Sequence, residues 1–267
     1  MKRPSLPLLL FICWLLAACA APATPAVLPP TFTIQAAAIA STSLPSPTSA
    51  PTSTATPATP APPAVTLPQG ALSAQQRQAL ENAARAFISP SPEEALATAI
   101  ELGYLGRNAN PATMCGPLAL AILQQSGLVD SSFPLKSFYY LNPRPGHDER
   151  YLEKVFPADR FEKIVREESI GKIDFSADPL LPGDFLYLFA GDSGSFEHML
   201  VVSRVDDAGR AYAVTNLNTA RGVIVDEVLL YDPANPGVGQ FYQWTDWENR
   251  MIGRTGYGGY WLWRPLP

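Results

Sequence analysis

Asn110-Pro111-Ala112-Thr113-Met114-Cys115-Gly116-Pro117-Leu118-Ala119-Leu120-Ala121-Ile122-Leu123-Gln124-Gln125-Ser126-Gly127 is the stretch on which the reading of this 267-residue chain turns. Leu118, Ala121, Ile122 and Gln125 recur at helical spacing, and Leu120 and Leu123 widen the apolar face. Pro117 suits a first helical turn, where its missing N–H is no loss, and Gly127 suits the residue just past a helix end. A buried helix is therefore predicted, with Cys115 at its start. A sulfur there meets unpaired backbone N–H groups and the positive end of the helix dipole, and both stabilise a thiolate. A thiol of lowered pKa is what nucleophilic cysteine chemistry needs.

The other two cysteines are accounted for by the N-terminus. Lys2 and Arg3 precede an apolar run, Leu8 to Leu16, that is short for a membrane span, and Leu16-Ala17-Ala18-Cys19 follows it. This order resembles the leader and lipobox of bacterial lipoproteins, which implies that residues 1–19 are a signal peptide and that Cys19 is lipidated. The alternative is an ordinary cleaved leader. Two or more acyl chains anchor a protein stably where one does not, so the resemblance implies an extracytoplasmic, membrane-anchored protein. Cys13 leaves with the leader, which makes Cys115 the one thiol of the folded part. In an oxidising compartment an unpaired thiol signals a reactive or intermolecular cysteine, or else a small buried hydrophobe.

Residues 20–67 are almost entirely Ala, Pro, Ser and Thr, with no charged residue between Arg3 and Arg77. Such a segment cannot bury enough apolar surface to offset its ordering entropy, and its prolines favour an extended stalk. Residues 68–267 then form one domain by length. Removing Lys2 and Arg3 leaves 17 basic against 24 acidic residues, and no Lys/Arg run exists, which argues against nucleic-acid binding. A monomeric domain is expected.

The search for a general base is short, because the chain has two histidines. His147 lies in a Pro/Gly loop before a helix start at Asp148-Glu149-Arg150, which suits a surface or capping role. His198 opens an apolar run to Val205; Asp206-Asp207-Ala208-Gly209 and a second run from Arg210 to Asn218 complete a predicted hairpin. With Gly209 left-handed in a three-residue loop, Asp206 faces Arg210 and, by extrapolation, His198 faces Asn218. Asn216 then lies on the same face within diagonal reach, so either asparagine is a candidate to fix the imidazole tautomer. A one-residue slip would turn both away.

Cys at a helix start, His on a strand and Asn on the adjoining strand resembles the papain-like cysteine peptidase superfamily, here through Cys115, His198 and Asn216. Cys115-Gly116-Pro117 is similar to the bacteriocin-leader-processing branch. Leu181-Pro182-Gly183-Asp184, running on through Phe189, resembles the Pro-Gly-Asp strand of the cell-wall amidase/endopeptidase branch. The resemblance implies hydrolysis of a peptide or amide bond through a thioester, with a peptide or cell-wall peptide as substrate. It departs from the family at the glutamine often found six residues before the cysteine, since that position is Ala109. Asn108 and Asn110 flank it as candidate oxyanion donors beside the Cys115 N–H. A binding lipoprotein without catalysis and an acyl or amide transferase are the competing functions. No cofactor or metal is expected, because no ligand pair has zinc-site spacing.

The remaining elements predict an α+β fold, papain-like, with N-terminal helices packed on an antiparallel sheet. Ser73 to Ile88 and a helix opened by Ser91-Pro92-Glu93-Glu94 form the helical layer, followed by Glu149 to Phe156 and parts of Asp159 to Glu168. Strands are expected at about 184–190, 198–205, 210–217, 222–230 and 257–264. Of the aromatic cluster Trp244, Trp247, Tyr257, Tyr260, Trp261 and Trp263, the last and Trp261 share a strand face and are expected to pack the sheet.

Overall fold

Two serines start the helical layer. Ser73 caps α1 (Ala74–Arg85) and Ser91 caps α2 (Pro92–Glu101), each through a reciprocal capping box, with Gln76 and Glu94 reaching back to the cap N–H. The computed structural model describes residues 70–103, 110–139, 141, 148–189, 198–244 and 258–267. The leader with Cys19, the stalk, Asn108, His147, Trp247 and Tyr257 lie outside the described residues.

α3 (Cys115–Gln125) is buried from Cys115 through Leu123 and is apolar around its whole circumference. Such a helix needs neighbours on every side, and α3 contacts α1, a 3-10 turn (Leu135–Phe138) and two strands. Burying Leu118, Leu120, Ile122 and Leu123 stabilises the fold by roughly 1.5–3 kcal/mol each. Gly127, at φ +77°, ends the helix and donates to the Gln124 carbonyl. α4 (Glu149–Val155) follows.

Among the described residues, seven strands make two antiparallel sheets: β1 (Phe161–Arg166), β2 (Phe185–Leu188), β3 (His198–Val201), β4 (Arg204–Val205), β5 (Ala211–Thr219), β6 (Gly222–Tyr231) and β7 (Tyr260–Pro265). The first sheet runs β1-β7-β2-β3 and the second β4-β5-β6. The fold is α+β. β2 and β3 are buried on both faces, which is why they read as unbroken apolar runs. Alternate residues feed two cores. Phe185, Tyr187, Met199 and Val201 join the helices, while Leu186, Leu188, Leu200 and Val202 join Ala211, Ala213 and Leu230 of the second sheet.

Two expectations change. Residues 161–166 form strand β1 rather than helix, paired with β7 from Phe161↔Pro265 to Arg166↔Tyr260. Phe161, Ile164 and Val165 have helical spacing, but the open edge of β7 decides their state. The run 198–205 is two strands in different sheets. β3 pairs with β2, Val202 still donates to Asp184, and Ser203 already donates to Tyr212 of β5. Trp261 and Trp263 do share a face of β7 over the helical core, with the Lys163 ammonium 3.7 Å from the Trp261 ring centre.

The Pro182-Gly183-Asp184 turn is structural. Gly183 is at φ +92°, and Asp184, fully buried, accepts from the Leu181 N–H and from both the Nε and an Nη of Arg264 at 2.9 and 2.7 Å. A bidentate guanidinium and a backbone donor compensate a carboxylate that water does not reach.

Candidate active site

Cys115 is the first residue of α3, after Met114 at the N-cap, and no side chain caps the helix there. It is 9 % exposed. The 3-10 turn Pro111–Thr113 leads into it, capped by Asn110, whose amide oxygen accepts from the Ala112 N–H at 3.0 Å. Asn110 is exposed, and the cap bond uses its amide oxygen, not the amide N–H that an oxyanion donor would use.

The N-terminal ends of α3 and β3 meet. Gly116 packs so closely on Met199 that an added Cβ would lie 2.7 Å from the methionine methyl, and it would also run into the Phe138 carbonyl oxygen. Cys115 and His198 each stand one residue before this contact. Only glycine lets the helix approach β3 this closely.

His198 is 4 % exposed. Its Nε2 lies 2.8 Å from the Thr215 Oγ1, and its ring meets Trp244 edge-on at 4.9 Å between centres. Burial pushes the imidazole down from its ordinary 6.5 to about 4, so the ring is neutral at physiological pH. A neutral imidazole carries one N–H and one lone pair, which is the form a general base requires.

The asparagines go elsewhere. The hairpin turn forms as expected: Gly209 is at φ +78° and donates to Asp206, and the register Arg204↔Tyr212, Val205↔Ala211 holds. It does not extend to His198, because the chain changes sheets at Val202 and Ser203. His198 faces Leu188 of β2, and Asn218 is exposed opposite Val223. Asn216 is on the other face of β5 from Thr215, so the two asparagines do not orient the ring. Asn216 Nδ2 donates to the Pro111 and Ala112 carbonyls at 3.1 and 3.0 Å.

Thr215 and Trp244 are the site residues that the sequence reading missed. The face flip caused by the sheet change hides the first. Trp244, distant in sequence, lies on a helical turn at 240–244 with Phe241 packed nearby. Among the described residues no three His, Cys, Asp or Glu side chains gather into a metal cage. Comparisons with family models, curated proteins and solved structures found no match.

Proposed function

We propose that the domain is an extracytoplasmic, lipid-anchored cysteine hydrolase of papain-like type that cleaves a peptide or amide bond. One observation carries this reading: a neutral, buried imidazole tied at one nitrogen heads a strand whose start packs against the start of the helix headed by the domain's one thiol. The membrane part of the proposal rests on Leu16-Ala17-Ala18-Cys19 and the stalk that follows. Tethering outside the membrane favours wall peptides or exported proteins as substrates.

With Nε2–H donating to Thr215, Nδ1 carries the lone pair. Nδ1 takes the Cys115 proton as the sulfur attacks the carbonyl carbon, and the oxyanion is held by backbone donors that include the Cys115 N–H. The protonated ring then gives its proton to the departing amine, leaving a thioester. The ring next takes a proton from water, whose oxygen attacks the thioester and frees the acid with the thiol restored.

Alkylation of Cys115 by iodoacetamide across pH tests this. A primed thiol reacts well below about pH 8; one that reacts only above it sinks the proposal. Incubation with peptidoglycan, reading new amino termini in wild type and Cys115→Ser, identifies the bond cut. Binding without catalysis is the second reading, favoured by the small exposure of Cys115, and unreactive thiol with retained peptide binding selects it. A transferase uses the same thioester, and an added amine acceptor appearing in the product reveals it.

A further inference from the structure

We infer that Asn216 is a positioning residue for the nucleophile, so that two consecutive residues of β5 set the places of both reacting side chains. The inference rests on the hydrolase reading and extends it to a residue hydrogen-bonded to the turn that leads into Cys115.

Neighbouring side chains on a strand point to opposite faces. Thr215 turns to one face and holds His198 Nε2 at 2.8 Å. Asn216 turns to the other, and its one amide nitrogen spans two successive carbonyls, Pro111 and Ala112. Those carbonyls belong to the turn that leads through Thr113 and Met114 into Cys115. The turn closes at its start through Thr113 N–H to the Asn110 carbonyl at 3.0 Å, but its last bond, Met114 N–H to the Pro111 oxygen just before Cys115, is 3.4 Å long, near the outer limit for such a bond. Thr113 adds side-chain bonds to the Asn110 carbonyl at 2.9 Å and the Tyr139 hydroxyl at 3.2 Å. Asn216 hydrogen-bonds this turn to the strand whose neighbouring residue holds the imidazole.

The other half of the amide points to a positional requirement. Asn216 is 7 % exposed, and its Oδ1 is the buried side-chain polar atom left without a hydrogen bond among the described residues. An unpaired buried acceptor destabilises a fold, and such a group calls for an explanation beyond stability. The placement of the amide nitrogen between two carbonyls supplies one. Reacting groups must be held to within a fraction of an ångström, and a shift of about 1 Å costs on the order of a hundredfold in rate. Referencing sulfur and imidazole to adjacent residues of one strand removes the accumulated slack of the intervening chain.

The test follows iodoacetamide alkylation of Cys115 from pH 5 to 10 in the full chain, in wild type, Asn216→Ala and Asn216→Asp. The aspartate has the shape of asparagine but faces the two carbonyls with oxygen instead of N–H. Expected is a fall of about tenfold or more at pH 7 in both variants, with the midpoint displaced toward the ordinary thiol value of about 8.5 and the high-pH plateau unchanged. A role confined to folding would lower the melting temperature and leave that profile in place. Should the variants fail to fold, the wild-type protein carries the test by NMR: alkylating Cys115 must shift the Asn216 side-chain amide resonances. Variant profiles that superpose on a depressed wild-type profile, or an Asn216 amide indifferent to alkylation, overturn this inference and leave the hydrolase reading standing. A wild-type midpoint near 8.5 removes both.

Discussion

The buried state of His198 has a consequence for stability that is open to titration. Its ring is held neutral by burial, with its pKa moved from 6.5 to about 4. An unfolded chain binds a proton at this ring below pH 6.5, while the folded one does so only near 4. Between these values the unfolded state carries the extra proton, so lowering the pH favours unfolding; below both, the two states bind it alike and the loss levels off. The contribution is fully present above 6.5 and is lost as pH falls. At 1.36 kcal/mol per pKa unit the loss reaches roughly 3 kcal/mol by pH 4, with about half gone by pH 5.5. That is a large share of the 5–15 kcal/mol typical of a domain. Urea unfolding at pH 7.5, 5.5 and 4.0, in wild type and His198→Gln, isolates it, because all carboxylates are common to both proteins. The wild type should lose about 3 kcal/mol more than the variant over this range. Parallel stability curves refute the argument, since they mean that the folded ring takes its proton as readily as a solvated one.

Further perturbations act on the contacts that set the site. Thr215→Val leaves Nε2 unpaired in a dry pocket and should lower stability by about 1–3 kcal/mol, with slower Cys115 alkylation at pH 7 that Thr215→Ser restores; an unaltered alkylation rate removes Thr215 from the site. Gly116→Ala, a change that favours an ordinary helix interior by roughly 0.5–1 kcal/mol, should here lower the melting temperature, because the new methyl meets the Phe138 carbonyl and Met199; a rise would mean that α3 and β3 do not approach as described. Arg264→Met strands the buried Asp184 carboxylate, for an expected loss of about 3–5 kcal/mol by urea unfolding, and adding Asp184→Asn should return part of it.

What was legible in the sequence is what is decided locally. The capping boxes at Ser73 and Ser91 need only residues three apart. The start of α3 at Cys115 follows from Pro117 and the apolar run, and the turn at Gly209 from its own φ requirement. What failed depends on partners far along the chain. Phe161, Ile164 and Val165 suit a helix until β7 presents its edge. The hairpin register was right where the hairpin exists, at Arg204 and Val205, and wrong at His198, because nothing in the run His198 to Val205 announces that it changes sheets midway.

That sheet change also explains why the imidazole's partner on β5 lies one position from the asparagine that the hairpin predicts. A ring nitrogen needs a single hydrogen-bond partner, and an amide or a hydroxyl meets that need equally, so residue type cannot choose between Thr215 and Asn216. Face chooses. With β3 paired to β2 and β5 running beside β4, His198 and Thr215 share the side where Ala213 and Leu200 pack, while Asn216 shares the side of Val214 and α3. The asparagine that a continuous hairpin places beside His198 is thereby turned toward the turn that leads into Cys115.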